Sequence, residues 1–169
     1  SHMPQALDGA PRDGPDGYDG QFYGALATDP LLLNPETVRA LDSPAWRASR
    51  MMLPLVAWLL SLGNPGTAVI LYELIGWALS LSTIFLSALW LKRDRASLWW
   101  AALLVINGGL MTAINRSTLD GAALAIALAA LWFHRQQRHR PGIGLAIAAT
   151  LTRETSYIIA LGIAITELR

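Results

Sequence analysis

The sequence contains no cysteine. That excludes a disulfide framework, a thiolate metal site and a cysteine nucleophile, and it leaves the redox compartment open. Charge is scarce as well: 15% of residues are charged and 53% hydrophobic, against roughly 25% and roughly 45–50% in ordinary soluble domains. With a mean hydropathy of +0.38, this is the composition of a membrane protein. The chain has no G-x-x-x-x-G-K-[ST] phosphate loop, no G-x-S-x-G elbow and no H-E-x-x-H pair, so soluble nucleotide enzymology finds no support. The N-terminal stretch also lacks the basic-then-apolar pattern of a secretory signal. Ser1-His2-Met3 reads as an expression scar and is left out of the fold reading.

What charge there is divides by region. Residues 1–50 hold seven acidic side chains against four arginines, whereas residues 92–140 hold seven Lys/Arg against Asp94 and Asp120. The net charge of +1 is the sum of these two halves, so it argues for no nucleic-acid partner.

Residues 4–43 are punctuated by Gly, Pro and Asp and predict an irregular acidic region with one or two brief helices. Ser43-Pro44 has the form of a helix start, Ser as N-cap and Pro in the first turn, and Gly63-Asn64-Pro65-Gly66 has the form of a stop. Between them Met51 to Leu62 is apolar over too few residues to cross a hydrocarbon core needing about 20. Residues 44–66 are therefore expected to form a juxtamembrane helix and turn, kinked at Pro54. Residues 67–169 are expected to form a transmembrane module of about four spans: Thr67–Leu91, Leu98–Ile114, Thr118–Phe133 and Gly142–Ile165, the last with Arg153 and Glu154 in its middle. The fold class is thus all-α, a polytopic set of membrane helices behind an irregular extracytoplasmic loop.

Lys and Arg in short loops set orientation. Lys92, Arg93 and Arg95 join the first two spans, and Arg135, Arg138 and Arg140 the last two, which predicts that both loops are cytoplasmic. The turn carrying Asn115, Arg116 and Asp120, and the acidic N-terminal region, are then expected on the opposite side. Delivering that region across the membrane calls for a preceding helix, so the chain is expected to be a fragment of a longer protein. The seven tryptophans fall mostly at expected interfaces, among them Trp90, Trp99, Trp100 and Trp132.

Two polar groups therefore share the outer face: the stretch DGYDGQFYGALATDP (residues 16–30) and the turn at 115–120. A carboxylate there can act as general base toward a hydroxyl, and an arginine can grip a phosphate through two parallel hydrogen bonds. Asp19, flanked by Tyr18 and Gly20, is the candidate base, with Asp16, Tyr18, Gln21 and Tyr23 as candidate substrate contacts. The simpler alternative is that Asp16, Asp19 and Asp29 form turns and caps. Arg47 and Arg50, next to Trp46, either snorkel to lipid headgroups or, for Arg50, hold phosphate. Ionisable groups inside spans are costly, so Glu73, Arg153 and Glu154 either pair with one another between helices or contact substrate. Asp120 either caps its helix or joins the site. His134 and His139 sit in a basic loop suited to anionic lipid, without a third ligand for a metal.

The strings DGYDGQFYGALATDP, LDSPAWRASRMMLPLVAWLLSLGNP, NRSTLDGAALAIALAAL and LTRETSYIIALGIAI resemble the N-terminal part of bacterial polytopic glycosyltransferases of the GT-C superfamily, of the kind linked to cell-surface glycopolymer formation. The resemblance implies an inverting transferase in the cytoplasmic membrane, working at its outer face with a polyprenyl-phosphate-linked sugar donor and a glycan or lipid acceptor. It implies the base role for Asp19 and donor or divalent-cation contacts for Arg116 and Asp120. The helix preceding the first external loop and the later spans of that family are missing from the sequence, so this part alone is expected to be inactive. The rival reading is a non-enzymatic transporter or polymer-export module, with Glu73, Arg153 and Glu154 lining a polar path through the membrane; a docking surface for a partner protein is a third.

Overall fold

A computed structural model describes residues 19–167. Among these residues every regular element is helical: α1 (Asp19–Thr28), α2 (Pro35–Ala40), α3 (Pro44–Ala48), α4 (Met52–Leu60), α5 (Pro65–Arg93), α6 (Trp99–Ala102), α7 (Gly108–Asn115), α8 (Leu119–Arg135), α9 (His139–Thr152) and α10 (Tyr157–Glu167).

The starts follow the capping chemistry of the sequence. Asn34, Asn64 and Asn107 each accept a backbone N–H from the first turn of α2, α5 and α7, replacing a partner the helix itself cannot supply. Pro35, Pro44 and Pro65 occupy first-turn positions, where a missing N–H costs nothing. The helix expected through residues 44–62 is instead two pieces, α3 and α4, separated at Ser49–Met51. Pro54 lies in the first turn of α4, so it helps to begin a helix and does not kink one.

α5 is the one described helix that is by itself long and apolar enough to cross a membrane. Its partners fix how the chain runs beside it. Thr83 donates to the carbonyl of Gly121 at 3.2 Å, Trp90 meets Trp132 edge to face, and Asp94 pairs with Arg135. The positions rise together, so α5 and α8 are parallel. Tyr72, near the start of α5, donates to the carbonyl of Ser117, and Trp77 to that of Ile114. The segment between Asp94 and Ser117 must therefore travel back along α5. From Tyr72 to Arg93 that distance is about 32 Å at 1.5 Å per residue, comparable to the hydrocarbon thickness of a bilayer.

That returning segment corrects the continuous helix expected over 98–114. It is broken into α6 and α7 by a turn ending at Asn107, whose side chain caps α7. At Arg116–Thr118 the axis then bends by 116° into α8. Arg95, Ser117 and Gln137 adopt positive φ at the α5–α6, α7–α8 and α8–α9 reversals; each such residue costs roughly 1–2 kcal/mol, a strain held by the packing on either side.

The tract expected to cross once over 142–165 also divides. α9 runs back along α8, close enough that a Cβ at Gly142 would lie 3.2 Å from the Ala130 carbonyl oxygen. It ends with Arg153 beside Asp120. A single 3-10 turn (Glu154–Ser156) reverses the chain, and α10 descends until Thr166 reaches His134. Arg153 and Glu154 thus mark a turn at one end of the bundle, not the middle of a span.

The bundle has two distinct ends. One carries Lys92, Arg93, Asp94, Arg135 and His139. The other carries α1 and α4, packed on the start of α5 around Phe22, Tyr23, Leu26, Leu53, Ala57, Ala68, Tyr72, Leu119 and Ala122, with α3 against α1. The acidic stretch expected to be irregular with one or two brief helices holds α1 and α2, and α1 is buried, with Gly20 through Ala27 enclosed. Large apolar side chains remain outside: Ile70, Leu74, Trp77, Leu81 and Phe85 recur along one exposed face of α5.

Candidate functional site

At the end where α1, α7 and α8 meet, a cavity of about 830 Å³ opens between the first turn of α1 and the α7–α8 reversal. Asp19, Asn107, Thr112, Arg116, Thr118 and Asp120 supply its polar lining. Leu104, Leu110 and Leu124 line its apolar part, together with Thr83 from within the helical layer. The cavity is thus amphipathic, charged at the rim and apolar toward the bundle.

Each charged member is placed by its element. Asp19 is the first residue of α1, where the partial positive charge of the helix end favours a carboxylate. Its Oδ1 accepts from Arg47 Nη2 at 2.9 Å, and its side chain remains 48% exposed. Asp120 stands in the first turn of α8, accepts from the Thr118 hydroxyl at 3.1 Å and pairs with Arg153. The Thr118 hydroxyl therefore serves Asp120 and does not cap the helix backbone. Arg116 is exposed at the reversal.

Behind the cavity stands a second layer of ion pairs. Arg47 is 3% exposed although it lies on the five-residue α3. Its Nε and Nη2 donate to the two carboxylate oxygens of Asp42, both at 2.9 Å. Its guanidinium lies 4.6 Å from the Phe22 ring centre and 4.7 Å from that of Trp46, an arrangement that suits a weakly hydrated planar cation. The hydrogen bond from Arg47 outweighs burial and holds the Asp42 carboxyl below the usual carboxylate range. Arg50, 4% exposed, pairs with Glu154 through Nε at 2.6 Å and through Nη2, and donates to the Tyr23 hydroxyl at 3.0 Å. Burial of Arg50 acts to lower its pKa, but Glu154 and Tyr23 leave it raised.

The expected site residues thus fall into three groups. Asp19, Arg116 and Asp120 line one cavity. Arg153 and Glu154 flank it through separate partners, Asp120 and Arg50. Gln21, Tyr23 and Arg50 are buried in the packing behind it and do not line it. Asp16 and Tyr18 lie outside the described residues. Glu73 follows Tyr72, whose hydroxyl reaches Ser117, so it too sits toward the cavity end of α5.

Sequence reasoning missed three contributors. Arg47 was an interfacial anchor by position alone, yet it is interior. Asp42 precedes the Ser43 N-cap and captures Arg47 across the turn, a spacing visible in LDSPAWR. Asn107 was signalled by Asn107-Gly108-Gly109, a turn signature inside an apolar run. Among the described residues no group of three or more His, Asp or Glu is arranged to hold a metal ion; His134 and His139 contact edge to face at 5.4 Å, away from the cavity. No family model, curated protein or solved structure matches this chain.

Proposed function

We propose that this chain is the N-terminal module of a membrane-embedded glycosyltransferase of the GT-C kind, taking a sugar from a polyprenyl-phosphate donor to a glycan or lipid acceptor. One observation carries the reading: Asp19, nearly a hundred residues upstream of the Arg116–Asp120 turn, lines a single cavity with Arg116 and Asp120 at the end of the bundle opposite the Lys/Arg-rich loops. A base and a phosphate-binding cation must act on the two sides of one anomeric carbon, so a shared cavity is the least the chemistry requires.

In this reading Asp19 takes the proton from the acceptor hydroxyl as its oxygen attacks the anomeric carbon. The bond to the phosphate oxygen breaks on the opposite face, and Arg116 offsets the charge of the departing phosphate. Leu104, Leu110 and Leu124 offer an apolar wall to the lipid part of the donor. α5, the broken α6–α7 segment, α8 and α9 would be the crossing elements, in a bacterial cytoplasmic membrane with the cavity at its outer face. The apolar faces left uncovered on α5 suit contact with lipid or further helices.

Arg153 and Glu154 pair with Asp120 and Arg50 at the cavity end, which favours the transferase reading over the rival in which they line a polar path. The test is Asp19→Asn in the full-length protein. Loss of transfer with expression and folding intact is the expected result; turnover at the wild-type rate would remove Asp19 from the base role.

A further inference from the structure

Asp19 is held from behind by an arginine that already has a counter-ion. Arg47 gives Nε and Nη2 to the two oxygens of Asp42, a side-on pair that satisfies its charge. The same Nη2 then gives one more bond, at 2.9 Å, to Oδ1 of Asp19. A purely structural arginine needs only the first partner. Summed over the three groups the charge is negative by one unit, so the contact fixes Asp19 without cancelling it.

Rigidity of the guanidinium follows from its surroundings. It is 3% exposed and bracketed by the Phe22, Tyr23 and Trp46 rings. Asp42 and these aromatic rings fix the plane of the fork. Only Oδ1 of Asp19 is engaged by Arg47; the carboxylate lies on the cavity wall and is about half exposed.

We infer that Arg47 is a positioning residue for Asp19, and that Asp42 sets its effect: by occupying Arg47, Asp42 keeps Asp19 oriented but not neutralised, leaving Oδ2 for an incoming hydroxyl. The inference rests on the catalytic reading of Asp19, and its main test does not depend on turnover. The probe is a water-soluble carbodiimide with an amine nucleophile, applied to the full chain in detergent micelles. Labelling of Asp19 is read by peptide mass spectrometry against Asp29 and Glu36 as internal references.

Arg47→Gln frees Oδ1 and should raise Asp19 labelling severalfold relative to the references, with Arg47→Lys in between. Asp42→Asn should act in the opposite sense: Arg47, deprived of its own counter-ion, closes on Asp19 and lowers its labelling. A merely structural role predicts that both variants loosen the region and raise labelling together, and that result would overturn the inference. In the transfer assay Arg47→Lys should lower kcat while KM holds, because a lysine keeps the charge but lacks the fork; an unchanged kcat would also overturn it. Retention of turnover by Asp19→Asn is a different failure, and it would overturn the catalytic reading itself.

Discussion

Asp94 and Arg135 close the same end of the bundle, joined by two hydrogen bonds of 2.8 and 2.6 Å between the ends of α5 and α8. Arg93 lies over the Trp132 ring and Arg135 over that of Trp90, so the two basic loops meet in one cluster. The chain between them travels away and back, which leaves Arg116 at the far end, where it lines one cavity with Asp19.

Sidedness can be read directly, since the absence of native cysteine makes single-cysteine variants clean reporters. Leu33→Cys and Asn115→Cys should react with a membrane-impermeant maleimide on intact spheroplasts. Arg95→Cys and Arg138→Cys should react only after permeabilisation. All four positions are exposed, so silence means the wrong compartment and not burial. Labelling of Asn115→Cys and Arg95→Cys from the same side would break the proposed arrangement.

The contact between α5 and α8 supplies a second test. A Cβ built at Gly121 would lie 2.3 Å from the Ser80 hydroxyl oxygen and 2.8 Å from its Cβ. Gly121→Ala should therefore overpack the seam, at a cost of about 1–3 kcal/mol, seen as a lowered unfolding temperature in detergent. Ser80→Gly removes both clashing atoms. The double variant should be more stable than Gly121→Ala alone, and additive losses would show that the two positions do not touch.

The long helix α5 was legible because its signals agree: Asn64-Pro65 begins it, an unbroken apolar run extends it, and Lys92-Arg93 complement its end. The breaks were harder to read. Asn107-Gly108-Gly109 carries a turn signature, but counting apolar residues across it yields a span of plausible length. Arg153-Glu154 looks like a costly pair buried in a membrane tract. Its real setting depends on Asp120 and Arg50, which only the folded chain brings near. The same limit hid Arg47: next to Trp46 at an interface, an arginine that snorkels and one that is buried have the same sequence. Within the acidic stretch, the glycines and aspartates masked the short apolar piece Phe22–Ala27, whose burial is decided by α4 and α5.

Arg50, Glu154 and Tyr23 tie α1, the α3–α4 junction and the α9–α10 reversal together. Removing one member leaves a buried guanidinium short of partners, which typically costs 3–5 kcal/mol for a fully buried pair. Glu154 is 46% exposed, and water screens that loss, so Glu154→Ala should cost about 1–2 kcal/mol. A double-mutant cycle with Arg50→Met should return a favourable coupling, measured by denaturant or thermal unfolding. Zero coupling would mean that the pair does not hold the reversal to α3–α4.

Acid should release the Asp42 anchor in a defined direction. Its carboxyl is held below the usual range, chiefly by the Arg47 hydrogen bond acting against burial. A carboxylate depressed on folding adds stability that is fully present above its unfolded pKa of about 4. The contribution fades as pH falls from there through the lowered folded value, where Asp42 takes up its proton and Arg47 loses its charged partner. Asp42→Asn should therefore destabilise the chain at pH 7 and matter progressively less below pH about 4. The measurement is the difference in unfolding temperature between wild type and variant across that range. A difference that stays constant down to the lowest pH would mean that the charge of Asp42 contributes nothing, and that Arg47 is held by its aromatic neighbours alone.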